Sequence, residues 1–337
     1  MVIADLSLAR GISGHEAGVR RLVQLLLPPG VDRVVVDPLG NLLVGQGLAK
    51  PGPTILFAAH MDEVGMMVTG FRSDGQLLIR PVGGVDATVI VGKRVLVGQD
   101  ALVGVIGLAR QPGAQAHEKN APALRYDDLA VDIGARDRAQ AERWARLGAM
   151  VTFDTAFSEN AHTYQGKALD DRVGCFVGLQ VLAEPAPSPR WVAFTVQEEL
   201  GLRGARVLAT SLRPDLAIIL EGTVANDVPT AGPGQEVSRI GGGAVLSVLD
   251  RGTLVAPELR AEIGSVAAGR GLAIQERRTT GGQNDSAALW PHGVRAAAIA
   301  APCRYIHSPC AITGIPDVEA MRLLAAALSQ EAGRLCL

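Results

Sequence analysis

The stretch PTILFAAHMDEVG, residues 53–65, carries an apolar run into a histidine, with an aspartate two residues further on. A short run that is apolar at every position reads as a strand buried on both faces, the kind found in the sheet of an α/β fold. A histidine at the end of such a strand stands where open α/β sheets bind ligands, beyond the carboxyl ends of their strands. The pattern recurs. WVAFTVQ (191–197) leads into Glu198 and Glu199, LAIIL (216–220) leads into Glu221, and VRAAAIAAP (294–302) comes shortly before His307. Asp170 instead precedes the apolar, helix-like DRVGCFVGLQVLAE (171–184). Five metal-compatible side chains, His60, Asp170, Glu199, Glu221 and His307, are therefore expected to meet at one edge of one sheet.

The bulk properties permit such a fold. A chain of 337 residues is long enough for about two domains and buries roughly 75% of the surface that its unfolded form exposes. With 32 basic and 34 acidic residues the formal charge is −2, and no basic patch suggests nucleic acid as a partner. The opening MVIADLSLARGISG lacks an apolar core of signal-peptide length, and no run approaches the roughly 20 apolar residues of a membrane span. No membrane partner and a cytoplasmic location are expected. Cys175, Cys303, Cys310 and Cys336 form no CxxC pair and read as reduced cysteines that ligate nothing.

The texture changes twice along the chain. Residues 1–67 read as α/β material, with a helix at GVRRLVQLLL (18–27) and a strand pair in VDRVVVDPLGNLLVGQG (31–47) turning at Pro-Leu-Gly-Asn. Residues 68–163 hold short β-like runs at close spacing, among them QLLIRPVGG, TVIVGKRVLVG and ALVGVIGLA, which suggest a small barrel or sandwich. Residues 164–337 return to alternating helices and apolar strands, ending in the helix-like DVEAMRLLAAALSQEAGRL. The expected organisation is an α/β domain interrupted by a β-rich insertion.

Each candidate position has a chemistry and a bland alternative. In AAHMDEVG an extended backbone puts His60 and Asp62 on one face, so the Asp62 carboxylate could accept the far ring N–H of His60 and fix its tautomer. In VQEELGLRGA two adjacent carboxylates point in different directions, which suits Glu199 as a ligand and Glu198 as a general base. Asp170, in KALDDRVG, sits where a helix cap belongs but could also bridge two cations, with Asp171 left for capping. Glu221 ends an all-apolar strand, a costly place for a carboxylate without a counter-charge. Two histidines and three carboxylates suit a pair of divalent ions that polarise a carbonyl and hold a water.

Together the segments resemble a known family. The order His-x-Asp, Asp, Glu-Glu, Asp or Glu, His is similar to that of the co-catalytic zinc exopeptidases, in the branch holding glutamyl aminopeptidase and the tetrahedral aminopeptidases. GISGHEAGVR, RPVGGVDATVIVGKRV, GVIG, VDIGA, KALDDRVG, VQEELGLRGA, GGQNDSAAL and RYIHSP resemble segments of that branch, over residues 10–325. The resemblance implies a mixed sheet flanked by helices with an inserted, PDZ-like β-barrel domain. It implies two metal ions per chain, zinc first, with cobalt or manganese as alternatives. Asp170 then bridges, His60 and Glu221 hold one ion, Glu199 and His307 the other, Glu198 is the base and Asp62 the orienting group. Position 221 is Asp in many relatives, and GGQNDSAAL has Gln-Asn where Gly-Gly-Thr-Asp is commoner; Asp285 is then a cleft residue near His307 or a helix cap. The implied activity is removal of N-terminal residues from peptides by a homo-oligomer, with a dimer as the minimum and a tetrahedral twelve-subunit shell as a larger alternative. His117 is either a solvated loop residue or one that reaches a neighbouring site. The competing readings are a carboxypeptidase or small-molecule deacylase on the same metals, a glycoside hydrolase, whose carboxylate pair needs a separation of about 5–9.5 Å, and a non-catalytic oligomeric scaffold.

Overall fold

The computed structural model describes residues 1–109, 124–229, 232, 235–279 and 281–336; His117 lies outside them. The chain opens with α1 (Val2–Leu8) and α2 (Ala17–Leu25), then β1 (Arg33–Val36), β2 (Leu42–Gln46) and β3 (Ile55–His60). A second group follows: β4 (Gly65–Phe71), β5 (Leu77–Val82), β6 (Arg94–Val97), β7 (Leu102–Leu108), β8 (Leu129–Asp132), α3 (Arg138–Trp144) and β9 (Met150–Phe153). After it come β10 (Ser158–Glu159), β11 (Thr163–Gly166), α4 (Leu169–Ala183), β12 (Arg190–Thr195), α5 (Arg203–Ser211) and β13 (Leu216–Val224). The last part holds β14 (Ala244–Leu249), α6 (Pro257–Gly269), β15 (Ile274–Arg278), α7 (Ser286–Leu289), β16 (Arg295–Arg304), β17 (Ala311–Gly314), α8 (Ile315–Gln330) and α9 (Ala332–Leu335).

The elements form a large mixed sheet flanked by helices and a closed antiparallel barrel. The sheet has 11 strands in the order β1-β2-β12-β3-β13-β16-β17-β11-β10, with β14 paired to β16 and β15 to β14. Its centre, β12, β3, β13 and β16, is parallel. Parallel strands are covered by helices on both faces, which explains their unbroken apolar runs. In β3, Ile55, Phe57 and Ala59 join the core layer that includes residues of α1, α2, α4, α6 and α8, while Leu56 and Ala58 join the layer that includes residues of α5 and α7. The barrel closes in the order β4-β5-β8-β7-β6-β9 around its own apolar cluster, including Met66, Ile79, Val95, Ile106, Val131 and Phe153. Strands β10 and β11 belong to the large sheet, β11 pairing with β17.

Candidate metal centre

The parallel register aligns the ends that matter. Thr195 lies beside His60 across β12 and β3, which brings Glu198 and Glu199, just past β12, next to the imidazole. Glu221 lies near the end of β13, beside Ala300 of β16, and the turn after β16 returns His307. Asp170 comes from the start of α4, whose small neighbour matters: a Cβ added at Gly222 would lie 3.0 Å from the Asp170 Cα, so glycine lets β13 pass that close. Asp171 caps the helix, its Oδ1 accepting from the Gly174 amide at 3.0 Å, and its Oδ2 accepts from the His60 amide at 3.1 Å.

All five expected ligands converge. His60 Nε2 lies 3.4 Å from Asp170 Oδ1 and 3.8 Å from Glu221 Oε2, whereas His307 Nε2 lies 3.4 Å from Asp170 Oδ2 and 3.2 Å from Glu199 Oε1. The two oxygens of Asp170 thus face two different half-sites. Glu198 Oε2 stands 4.0 Å from His60 Nε2. Asp170 Oδ1, Glu199 Oε1 and Glu221 Oε1 are buried without a hydrogen-bond partner among the described residues, and buried unpaired carboxylate oxygens are costly unless a cation meets them. The groups His60–Asp171–Glu221, Asp170–Glu199–His307 and His60–Glu198–Glu199 are each compact enough to hold a metal ion. The donor set fits divalent cations.

The electrostatics agree. Burial opposes a charge on His307, but Asp170 and Glu199 outweigh it and raise its pKa to about 11. His60 is raised likewise, against burial, by Asp170 and Asp62. Burial pushes the Glu198, Glu221 and Glu199 carboxyls above the ordinary range, helped by the neighbouring carboxylates.

Several contacts depart from the sequence reading. His60 Nδ1 is 3.0 Å from the backbone carbonyl of Asp62 and 3.5 Å from its carboxylate, so the carbonyl is the nearer partner. The Asp62 carboxylate accepts instead from Ser13 Oγ at 2.5 Å, from the Glu198 amide at 3.0 Å and from the Glu199 amide at 3.1 Å. It positions the Glu-Glu pair more directly than the imidazole. Asp285 makes no side-chain cap to α7, the bond to the Ser286 amide coming from Asn284. Its Oδ2 accepts from Thr195 Oγ1 at 2.6 Å, and its charge acts on Glu198. Glu63, next to the His-x-Asp motif, is buried in a pair with Lys167 Nζ at 2.7 Å. The four cysteines are free.

Ala168, Gln197, Leu202, Tyr305 and His307 all have left-handed backbone, with φ between 54° and 59°. For non-glycine residues that conformation costs on the order of 1–3 kcal/mol each and gathers where function dictates geometry. Here the five flank Asp170, Glu198, Glu199 and the His307 turn. The barrel contributes backbone: a Cβ added at Gly84, after β5, would lie 3.2 Å from His307 Nδ1.

The family model for M42 glutamyl aminopeptidase matches residues 40–324. The chain belongs to the M42 glutamyl aminopeptidase family. It is a peptide hydrolase with the family's aminopeptidase function. It is 35% identical over 324 residues to a putative aminopeptidase of Acetivibrio thermocellus, covering 94% of each chain. A lysyl aminopeptidase of Pyrococcus furiosus is 30% identical over 331 residues, covering 95% of this chain and 94% of the relative. Among solved structures, an aminopeptidase of the archaeon Desulfurococcus kamchatkensis matches with a TM-score of 0.93 at 31% identity, over 99% of this chain and 95% of that one. The TET1 peptidase of Pyrococcus horikoshii, described as assembling into a tetrahedron or a large octahedral shell, matches with a TM-score of 0.85 at 30% identity, over 96% and 97% of the two chains.

Proposed function

We propose that this M42 peptidase is a dinuclear metal-dependent aminopeptidase acting on peptides with free N-termini. The observation that carries the reading is the division of the Asp170 carboxylate, one oxygen toward His60 and Glu221 and the other toward His307 and Glu199. In this assignment His60 and Glu221 hold one cation, Glu199 and His307 the other, and Asp170 both. Zinc suits the mixture of imidazole and carboxylate, with cobalt or manganese as alternatives. When bound, such a pair supplies Lewis acidity toward the scissile carbonyl and makes water a stronger acid.

The chain's own residues do the proton work. Glu198 takes a proton from the attacking water and delivers it to the leaving amine nitrogen. Its raised pKa, caused first by burial, suits a carboxyl that must keep a proton between those two steps. Asp62 fixes where Glu198 and Glu199 stand by accepting from both their amides. Glu221 in place of the shorter Asp extends its Oε2 to 3.8 Å from the His60 ring.

The barrel, within the interval 68–163 that divides the catalytic segments 1–67 and 164–337, is proposed as an oligomerisation domain. It supplies none of the five ligands, and it exposes Val103 at 47%, Val105 at 44% and Leu147 at 65%. Likeness to the TET1 peptidase supports a homo-oligomer, a dimer at least, with a dodecameric shell as one larger form. Light scattering would give the mass in multiples of 35.1 kDa. No helix among the described residues is long and apolar enough to cross a membrane, and a cytoplasmic location is proposed.

The test is elemental analysis together with aminoacyl chromogenic amides assayed before and after chelation. Up to two ions per chain and activity that is lost on chelation and restored by Zn²⁺, Co²⁺ or Mn²⁺ are expected. Full activity in metal-free protein would sink the reading, and release of residues from peptide C-termini would favour the carboxypeptidase.

A further inference from the structure

The turn from Val196 to Gly204 carries Glu198 and Glu199, and its first four amides are all taken by side chains from elsewhere. The Val196 amide donates to Asn41 Oδ1 at 3.0 Å, Gln197 to Glu16 Oε1 at 3.1 Å, Glu198 to Asp62 Oδ1 at 3.0 Å and Glu199 to Asp62 Oδ2 at 3.1 Å. The carbonyls bond within the turn, those of Val196, Gln197 and Glu198 accepting from the amides of Gly204, Arg203 and Gly201. Irregular backbone must send its polar groups somewhere. Here the amides tie the turn to three distant segments.

Of the three acceptors, Asn41 also donates to Asp37 and to the Gly204 carbonyl, so it joins the two ends of the turn. Glu16 has no such local task. It precedes α2 at the N-cap position, yet its side chain makes no capping bond to that helix. Its Oε1 accepts instead from the Gly14 amide at 2.7 Å and, across the gap, from Gln197. Glu16 is 5% exposed, and burial, with the Asp62 charge nearby, raises its pKa. An ionised carboxylate there costs folding free energy, but it makes a stronger bond to an N–H than a neutral oxygen does.

That bond falls on a strained link. Gln197 has a φ of 54°, a conformation that costs a non-glycine residue on the order of 1–3 kcal/mol. Glu16 holds the amide before its Cα and Asp62 the amide after it. Two held peptide planes fix the φ and ψ of Gln197, and with them the direction in which Glu198 leaves the backbone.

We infer that Glu16 is a positioning residue for Glu198: it keeps Gln197 left-handed and so holds the Glu198 carboxyl at the attacking water. The inference rests on the reading of Glu198 as the base, and it gives the segment GISGHEAGVR (10–19, with Arg10 before it) a part in the reaction although that segment supplies no ligand.

The experiment uses the full-length, metal-loaded enzyme and an aminoacyl p-nitroanilide that the wild type cleaves. Glu16→Ala should lower kcat by roughly 10–10²-fold, the scale of removing an outer support or misplacing a reacting group, with KM and metal content unchanged. Glu16→Gln keeps an oxygen for the Gln197 amide without the charge, and should fall between Glu16→Ala and the wild type. In a Glu198→Gln background Glu16→Ala should lower kcat no further, because the group it positions is gone. Native-state hydrogen exchange needs no turnover: the Gln197 amide should exchange faster in Glu16→Ala while β12 keeps its protection. If Glu16→Ala fails to fold, Glu16→Asp, one methylene short of the Gln197 amide, replaces it in every comparison. An undiminished kcat, a loss of kcat matched by loss of metal, a full multiplicative loss on top of Glu198→Gln, a Glu16→Gln enzyme as slow as Glu16→Ala, or unchanged exchange at Gln197 would each overturn the inference. If the wild type cleaves no amide, the aminopeptidase reading fails by itself, and the exchange comparison still decides whether Glu16 holds the turn.

Discussion

The carboxyl edge of the large sheet and the interior of the barrel hold opposite kinds of buried matter. At the edge, the carboxylates of Asp62, Asp171, Glu221 and Asp285 are buried together around the buried His60 imidazole. Inside the barrel, among the described residues from 65 to 153, Thr152 is the only buried polar side chain. A closed ring of six strands satisfies its own backbone and needs only apolar filling. The sheet edge instead stores electrostatic cost that a cation relieves. Chemistry and architecture are thus separated, and meet where Gly84 abuts His307.

That separation can be broken at the edge first. Glu198→Gln should lower kcat by about 10²–10⁴-fold, the usual contribution of a positioned acid–base group, while elemental analysis finds near-normal metal. Glu199→Gln should instead lose metal, and exchanged phenotypes would reverse the two roles. The barrel offers the converse. Phe153, 1% exposed in the barrel core, should cost about 3–5 kcal/mol of unfolding free energy on substitution by alanine, read from denaturant titration, with metal content unchanged. Loss of metal there would show that the regions are not independent.

The smallest effect belongs to Asp285, whose pKa burial raises to about 6 against the bond from Thr195. A carboxyl raised above its unfolded value, about 3.9, contributes stability that is fully present below that value and is lost as pH rises through about 6. In chelated protein, Asp285→Asn should therefore gain on the wild type between pH ~4 and ~6, by on the order of 1 kcal/mol after local relaxation. Paired melts across that range measure it, and a constant difference would show that Asp285 does not titrate there.

Much of this was legible because burial on both faces of a parallel strand leaves short all-apolar runs such as ILFAA or LAIIL. The residues just past such runs need partners, which made His60, Glu199 and Glu221 candidate ligands. The barrel was legible from the density of short runs between Val68 and Thr163, although its strands run from Gly65 to Phe153 and β10 and β11 join the large sheet. What escaped depends on contacts between distant segments: Ser13 with Asp62, Thr195 with Asp285, Lys167 with Glu63. Nothing local in Ser13 or Thr195 announces those partners. The carbonyl of Asp62 lies nearer the His60 ring than its carboxylate does, and that carboxylate also accepts from Ser13 and two amides.

The spread of the ligands along the chain has a consequence for how the molecule is made. His60 and His307 are separated by most of the sequence, and Asp170 must face both half-sites at once. A growing polypeptide that has emerged as far as Glu221 carries one half-site but not His307, and so lacks the other. Under the dinuclear reading, hydrolytic competence arrives only after the whole sheet has closed. The topology itself then acts as a timer, keeping a peptidase inert while its own unfolded segments are still within reach.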